Sequence, residues 1–422
     1  VGYQEGMDLT APKTDRPPLD AVVVGAGPAG IATALALHHV GASVALAGPP
    51  PAQTPTIRPE TRTAALLSSS VDFLKRLGVW ERLLPHAAPL KAIRIVDASR
   101  SLLRSPDIVF DARELGLEAF GFNIANTALS TALYNRAREV LPHLAPCPIE
   151  AVRLGQEQAS LALENGEQIT CRLVAGADGR RSICRQAAGI ETRDTHYEQS
   201  AIASSFRHSV PHRGISTELH REGGSVTSVP TVDENISSLV WVTGVEDAKA
   251  LMALDEVAFA ARLQENFDQT LGVISDTGPL ASFPIAGLTA KQMAANRTAL
   301  IGEAAHIMPP IGAQGLNLGL RDAAALADCV ADALRHGRDP GGLPVLAQYG
   351  RARQLDILSR TVGVDLLGRS LLTKLLPVQL ARSAVLTGLN AFGPLRRLVM
   401  QAGLAPPSDL PRLMRPVQGV AA

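Results

Sequence analysis

The chain lacks any imbalance of charge: its 422 residues carry 40 lysines and arginines against 40 aspartates and glutamates. No basic excess invites nucleic acid as a general partner, and no acidic tail predicts disorder, so any charged patch is local. Cysteine is scarce. Cys147, Cys171, Cys184 and Cys329 show no CxxC spacing, and the ten histidines include no HExxH. Neither a zinc site nor a disulfide framework is expected, which suits a reducing cytoplasm. No basic stretch followed by an apolar run precedes Asp20, so no secretory leader is predicted. No uninterrupted apolar run reaches the ~18 residues of a spanning helix. No unit of roughly 20 to 50 residues recurs, which excludes repeat architectures.

What is present is long enough for two packed domains and a smaller appendage. Residues 1–18 are polar and are expected as a disordered tail. Ala21 to Val24 form an apolar run that enters a glycine-rich turn. Ile31 to Val40 follow as a helix closed by Gly41, and Ser43 to Leu46 read as a second strand. This is a βαβ unit, and it predicts a parallel sheet at the front of the protein. Helical periodicity returns at Ser70 to Leu77 and Thr127 to Val140, and Leu161 to Leu163 with Cys171 to Ala175 resemble a hairpin and a further strand. From Ser200 to Thr243 the pattern becomes β-rich with glycine and proline between segments, as in an antiparallel sheet. Thr298 to Gly302 read as a buried strand, and Asn317 to Leu334 as a long helix.

Gly25-Ala26-Gly27-Pro28-Ala29-Gly30 fits GxGxxG. The first glycine permits a tight turn, the second lets a pyrophosphate approach the backbone, and the third lets helix and strand pack closely. The helix N-terminus behind it favours an anion by roughly 0.3 to 2 kcal/mol before individual hydrogen bonds. An acidic residue expected at the end of the second strand, for the adenosine ribose, is missing: the chain reads Val44-Ala45-Leu46-Ala47-Gly48-Pro49. A lost carboxylate-to-hydroxyl bond costs roughly 1.5 to 3 kcal/mol, about tenfold to a hundredfold in affinity.

Two further strings follow, AGADGRRS at 175–182 and GEAAHIMPPIGAQGLNLGLRDAAAL at 302–326. With VVVGAGPAG, TRTAALLSSSVDFLKRLGVW and FGFNIANTALSTAL, they make the chain from about Asp20 to Leu404 resemble the group A flavin monooxygenases of the para-hydroxybenzoate hydroxylase fold. Within these it resembles the ubiquinone-biosynthesis hydroxylases. The resemblance implies an α/β fold: a Rossmann-like FAD-binding domain from 19–90, 120–190 and 290–365, with an inserted antiparallel β-sheet substrate domain from 91–119 and 191–289. A C-terminal helical region, 366–422, completes it. It assigns Gly25, Gly27 and Gly30 to the FAD pyrophosphate, and Arg62 and Asn126 to the cofactor's lining. Asp178 and Gly179 fall on the Asp-Gly motif linked to FAD and the nicotinamide cofactor. Glu303 stands where most members have the aspartate that binds the ribityl chain. Pro310, Gly312, Gln314 and Gly315 form a loop against the pyrimidine end of the flavin ring, with Leu316 and Asn317 opening the next helix; a helix N-terminus there favours reduced flavin. Structural tasks also suit these residues: Asp178 can brace a turn, and Glu303 can cap the following helix. Arg321 and Asp322 are expected as an intrahelical surface pair. His306 is a candidate acid or base, but a hydrogen bond to nearby backbone explains it equally well and the sequence names no partner for it.

By the same resemblance, NAD(P)H is the reductant and docks transiently, since a single GxGxxG leaves no separate nicotinamide domain. One atom of O2 goes to an aromatic ring. Between Asp365 and Asp409 there is no acidic residue, while Arg369, Lys374, Arg382, Arg396 and Arg397 lie among apolar residues. Such helices suit a membrane surface, an apolar partner or a prenyl-tailed substrate, and equally a plain helical cap or dimer contact. Three readings stay open: a ring hydroxylase of a polyprenyl phenol, cytoplasmic with peripheral contact at the inner membrane surface or with a biosynthetic complex; a flavin hydroxylase of a soluble aromatic compound; and a non-catalytic subunit that retains the fold.

Overall fold

The computed structural model describes residues 17–51, 62–98, 107–221, 223–310, 314–354, 356–357, 388, 392–404 and 410–416. Nearly all of the expected tail 1–18, Gly312, and most of the C-terminal region 366–422 lie outside the described residues. The strand Leu19–Val24 pairs in parallel with Val44–Ala47 on one side and Gln168–Gly176 on the other. His143–Ala145 and Thr298–Leu300 extend this parallel sheet outward. Covered on both faces, its central strands are continuous apolar runs rather than alternating ones, and Ala21, Val22 and Val23 are fully buried. The helix Pro28–His39 joins the first two strands. It packs on the sheet and on the long helix Gln314–Arg335, which is why it is apolar nearly all round. Pro28 sits in its first turn, where a missing N–H costs nothing, and Gly41 ends it at φ +89°.

A second, antiparallel-rich sheet runs in the order His306–Ile307, Ala281–Ala290, Thr192–His208, Ile236–Gly244, Gly224–Pro230, Ile215–Arg221, Ala92–Asp97, Ile108–Asp111. Side chains alternate along these strands. Ile202, Phe206, Leu239 and Trp241 point to one face, where Phe259, Leu263 and Phe267 of the helix Glu256–Leu271 cover them. The other face carries Ala201, Ala203, Val240 and Val242 in register. It turns toward a small ribbon made of Thr63–Leu67, Ala88–Pro89 and Gly121–Ala125. Thr63 Oγ1 donates to Ser238 Oγ (3.2 Å), Asn123 Nδ2 donates to the Pro230 carbonyl (2.8 Å), and the Arg62 guanidinium lies 5.4 Å above the Phe283 ring.

Two histidines hold the far end of this sheet in an acid-sensitive way. His212 Nδ1 accepts from the Gly214 N–H while Nε2 donates to the Thr231 and Asp233 carbonyls, and His208 bridges the Val210 carbonyl and Ser237 Oγ. Both rings are satisfied as neutral groups, and burial pushes both pKa values below the ordinary histidine value. Since the unfolded chain binds these protons first, stability is full above the unfolded value of about 6.5 and falls as pH drops below it. The slope is about 1.4 kcal/mol per pH unit per histidine until the folded pKa is reached. The expected result is a melting temperature that declines more steeply between about pH 6.5 and 5 for the parent than for a His208→Gln/His212→Gln variant, followed by Trp241 emission. Equal slopes would rule these two rings out as the acid-labile element.

Candidate functional site

The strands of the parallel sheet end together, and the glycine turn, the AGADG turn and the GEA turn all leave from that carboxyl edge, where open α/β sheets bind ligands. The three glycines of the first turn carry different constraints. Gly25 has φ +109°, and a Cβ there would lie 2.3 Å from the Ala177 carbonyl oxygen. A Cβ on Gly30 would lie 1.9 Å from the Gly25 oxygen. At Gly27 a Cβ would meet no atom of the described residues within 4 Å. Gly27 is also the N-cap of its helix, and among the described residues no side chain caps it. The N–H groups of the first turn therefore face an open concavity, as an anion requires. The expected carboxylate position is closed for a visible reason. Gly48 adopts φ +140°, and a Cβ on it would press to 3.1 Å on Ala26 N and 3.2 Å on Gly25 Cα.

Asp178 Oδ1 accepts from Ser182 Oγ (2.6 Å) and Oδ2 from the Cys184 N–H (3.1 Å), bracing the turn in which Gly179 stands at φ +74°. Ser182 in turn caps the short helix Ile183–Ala187. Arg185 joins this turn to the next motif, donating to the Arg180 carbonyl and to the Ala304 carbonyl, each at 2.8 Å. Glu303 is exposed on the turn Gly302–Ala304 and, among the described residues, forms no capping bond to the long helix. Gln314 and Leu316 are half-buried, Pro310 and Gly315 are exposed, and no atom of the described residues stands within 4 Å of a Cβ built on Gly315. Asn317 spends its amide on the protein: Oδ1 accepts from Leu67 N (2.9 Å) and Ser70 Oγ (2.7 Å), and Nδ2 donates to the Ala65 carbonyl (2.8 Å). It fastens the first turn of the long helix to the strand that follows Arg62. Arg62 and Asn126 meet through the backbone, Asn126 N–H to the Arg62 carbonyl at 3.1 Å.

The expected Arg321/Asp322 surface pair is overturned. Asp322 is fully buried and accepts from His306 Nε2 (2.7 Å), Arg353 Nε (2.6 Å) and the Gly302 N–H (2.9 Å), while Arg321 reaches Asp356 at 3.1 Å. Adjacent helical residues do not face one another, so each finds a partner on its own side. Burial raises the Asp322 pKa, but His306, Arg353 and the Gly302 amide outweigh it and leave the carboxyl below its usual value. A carboxylate accepts only, so His306 Nε2 carries the hydrogen. His306 and Ile307 also pair with Thr289 and Leu288, joining the segment after the Gly302 turn to the edge of the second sheet. The sequence did carry a signal for Asp322. It lies four residues from each of the buried Leu318 and Leu326, on the apolar stripe of the helix.

Comparison with known proteins now bears on this geometry. The FAD binding domain family model matches residues 18–357. Ubiquinone hydroxylase UbiL of Rhodospirillum rubrum is 34% identical over 405 residues, covering 94% of this chain and 93% of that protein. The 3-demethoxyubiquinol 3-hydroxylase of Escherichia coli is 31% identical, covering 92% of this chain and 98% of that protein. The crystal structure of p-nitrophenol 4-monooxygenase PnpA from Pseudomonas putida DLL-E4 superposes with a TM-score of 0.73 over 91% of this chain and 97% of that one; at 19% identity the likeness is one of fold. The open helix N-terminus behind Gly27 fits a dinucleotide pyrophosphate, the family model spans most of the chain, and the chain belongs to the FAD binding domain family.

Proposed function

We propose that this protein is an FAD-dependent, NAD(P)H-consuming monooxygenase that hydroxylates the aromatic ring of a polyprenyl phenol in ubiquinone biosynthesis. The observation that carries the reading is the junction at His306–Ile307, where the segment that follows the Gly302 turn hydrogen-bonds into a second sheet whose opposing face bears small and apolar side chains. Support for the substrate class comes from the full-length relatives named for ubiquinone hydroxylation. Bound FAD supplies the chemistry, passing electrons from NAD(P)H to O2 so that one oxygen atom enters the ring and the other leaves as water. The division into segments 19–90, 120–190 and 290–365 for the cofactor and 91–119 with 191–289 for the substrate is part of this reading.

The residues have separate tasks in it. The amides behind Gly27 hold the pyrophosphate, with Gly25 and Gly30 keeping turn and helix together. Arg62 and Asn126 line the cofactor, Asp178 and Gly179 shape its wall, and Glu303 reaches the ribityl chain. Pro310, Gln314 and Gly315 lie along the pyrimidine end, a role the motif also gives Gly312, and Leu316 with Asn317 aim the helix N-terminus at it, favouring the negative charge of reduced flavin. Contact with a membrane surface or biosynthetic complex is the finer part. Among the described residues no helix is long and apolar enough to cross a membrane. The helix Gly393–Leu404 exposes Leu395, Leu398 and Val399 beside Arg397, although Arg396 is already paired with Glu114 at 2.9 Å.

Purified protein should show flavin bands near stoichiometry or take up FAD with quenching of its fluorescence, and should then oxidise NAD(P)H in response to prenylated phenols with label from isotopic O2 appearing in the ring. Colourless protein that cannot be reconstituted would defeat this reading. It would favour the fold-retaining, non-catalytic subunit that the closed ribose position at Gly48 suggests.

A further inference from the structure

Two rows of side chains cross the face of the second sheet that points away from Phe259. Register sets one row as Ala203, Val240, Thr227, Glu218 and Ile95, and the next as Phe283, Ala201, Val242, Ser225, His220 and Asp97. The face is small and apolar near Arg62 and becomes ionisable at the strand Ile215–Arg221. There His220 Nε2 stands 3.2 Å from Glu218 Oε1, with the two side chains only 11% and 17% exposed. A carboxylate taken this far from water is costly unless donors satisfy it. Among the described residues, the Glu218 carboxylate meets His220 alone as an ion-pair partner. The His220 ring stands beside Oε1, and Oε2 has lone pairs to accept from a further donor.

We propose that Glu218 is the acceptor for the substrate's ring hydroxyl and that His220 is its positioning partner; the inference rests on the hydroxylase reading above. A ring hydroxyl that donates to Oε2 gives more electron density to the ring carbon that bonds to the transferred oxygen. As that C–O bond forms, the hydroxyl proton passes to Glu218 and a dienone results. Loss of the proton from the substituted carbon restores the aromatic ring, and Glu218 returns its proton to the ring oxygen. The sum is ring C–H, O2, NAD(P)H and a proton giving ring C–OH, NAD(P)⁺ and water, with Glu218 unchanged. The ligand class is thus a phenol whose ring lies over the alanine and valine end of the face, beside Arg62, with its hydroxyl directed toward the ionisable end.

The test uses FAD-loaded protein with NADH, O2, and two probes, 2-geranylphenol and its methyl ether. The parent should prefer the phenol strongly. Glu218→Gln should lose roughly a hundredfold in phenol hydroxylation, convert the NADH electrons to hydrogen peroxide instead, and shrink the phenol-to-ether preference, all with unchanged FAD per protein. Glu218→Asp should recover part of that preference, and His220→Gln should show a loss of about tenfold. Should Glu218→Gln fail to hold FAD, the other two variants decide by the same ratio. Parent-like coupling and preference in the FAD-loaded variants would overturn the pair alone. A parent that loads FAD yet hydroxylates neither probe would overturn the hydroxylase reading, and the pair with it.

Discussion

A Gly27→Val protein is expected to fold like its parent and to bind FAD at least about a hundredfold more weakly, a loss of roughly 2.7 kcal/mol. Gly27 sits at φ −75° and ψ 170°, an extended conformation that valine adopts readily, and no atom of the described residues lies within 4 Å of the new Cβ. Nothing in the fold objects beyond a helix-cap cost of about 1 kcal/mol. Among the described residues, the branched side chain fills the space in front of the first-turn amides and displaces no neighbour. Gly30→Val should behave oppositely. Its Cβ would lie 1.9 Å from the Gly25 oxygen, inside a turn that is itself pressed on Ala177, so helix and strand must separate. Both stability and cofactor should go, with the fold losing at least 1 to 3 kcal/mol as overpacking does. Thermal unfolding of apoprotein and flavin-fluorescence titration of each variant separate the two cases. Gly27→Val with parental FAD affinity would remove the pyrophosphate from this turn.

The difference between these glycines explains what was readable beforehand. The first βαβ unit was legible because every local rule agrees there: a continuously apolar strand, proline in the first helical turn, Gly41 as a left-handed stop. The long helix was legible too, though it begins at Gln314 rather than Asn317. What failed was pairing by adjacency. Arg321 and Asp322 looked like neighbours because they are consecutive, yet a helix turns about 100° between them. The buried Arg353 had no local signal at all, since a buried arginine is announced only by its partner. Glu218 and His220 share a face by simple alternation, but which face that is depends on pairing with Ile95 and Asp97, more than a hundred positions earlier in the chain. Asn317 was singled out for its motif. Its contacts with Ala65, Leu67 and Ser70 again required the tertiary fold.

Asp322→Asn is expected to destabilise the cofactor-binding core by about 3 to 5 kcal/mol, the range for removing one partner of a buried ion pair. The carboxylate now balances Arg353, which is 2% exposed, while also accepting from His306 and the Gly302 amide. Asparagine keeps the shape but not the charge. It turns an amide NH2 toward groups that are all donors, so at least one donor is left facing another. The damage should reach the proposed cofactor site, because Gly302 at φ +58° lies between Ala29 and Gly319, a Cβ there being 3.5 Å from Ala29 Cβ, and so joins the helix Pro28–His39 to the long helix. Flavin should therefore be released at lower temperature, before the second sheet unfolds. Trp80 belongs to the first core and Trp241 to the second, so denaturation read from Trp80 in a Trp241→Phe background isolates the affected core. Arg353→Met alone should also be costly, since it leaves Asp322 with too few donors. The double variant should then lose less than the sum of the two by about 1 kcal/mol or more, because both single changes break the same Asp322–Arg353 contact, Arg353 keeping Asp356 as its other partner. Strict additivity, or a loss below about 1 kcal/mol for Asp322→Asn, would mean that the network fills space without holding the Gly302 turn to the long helix.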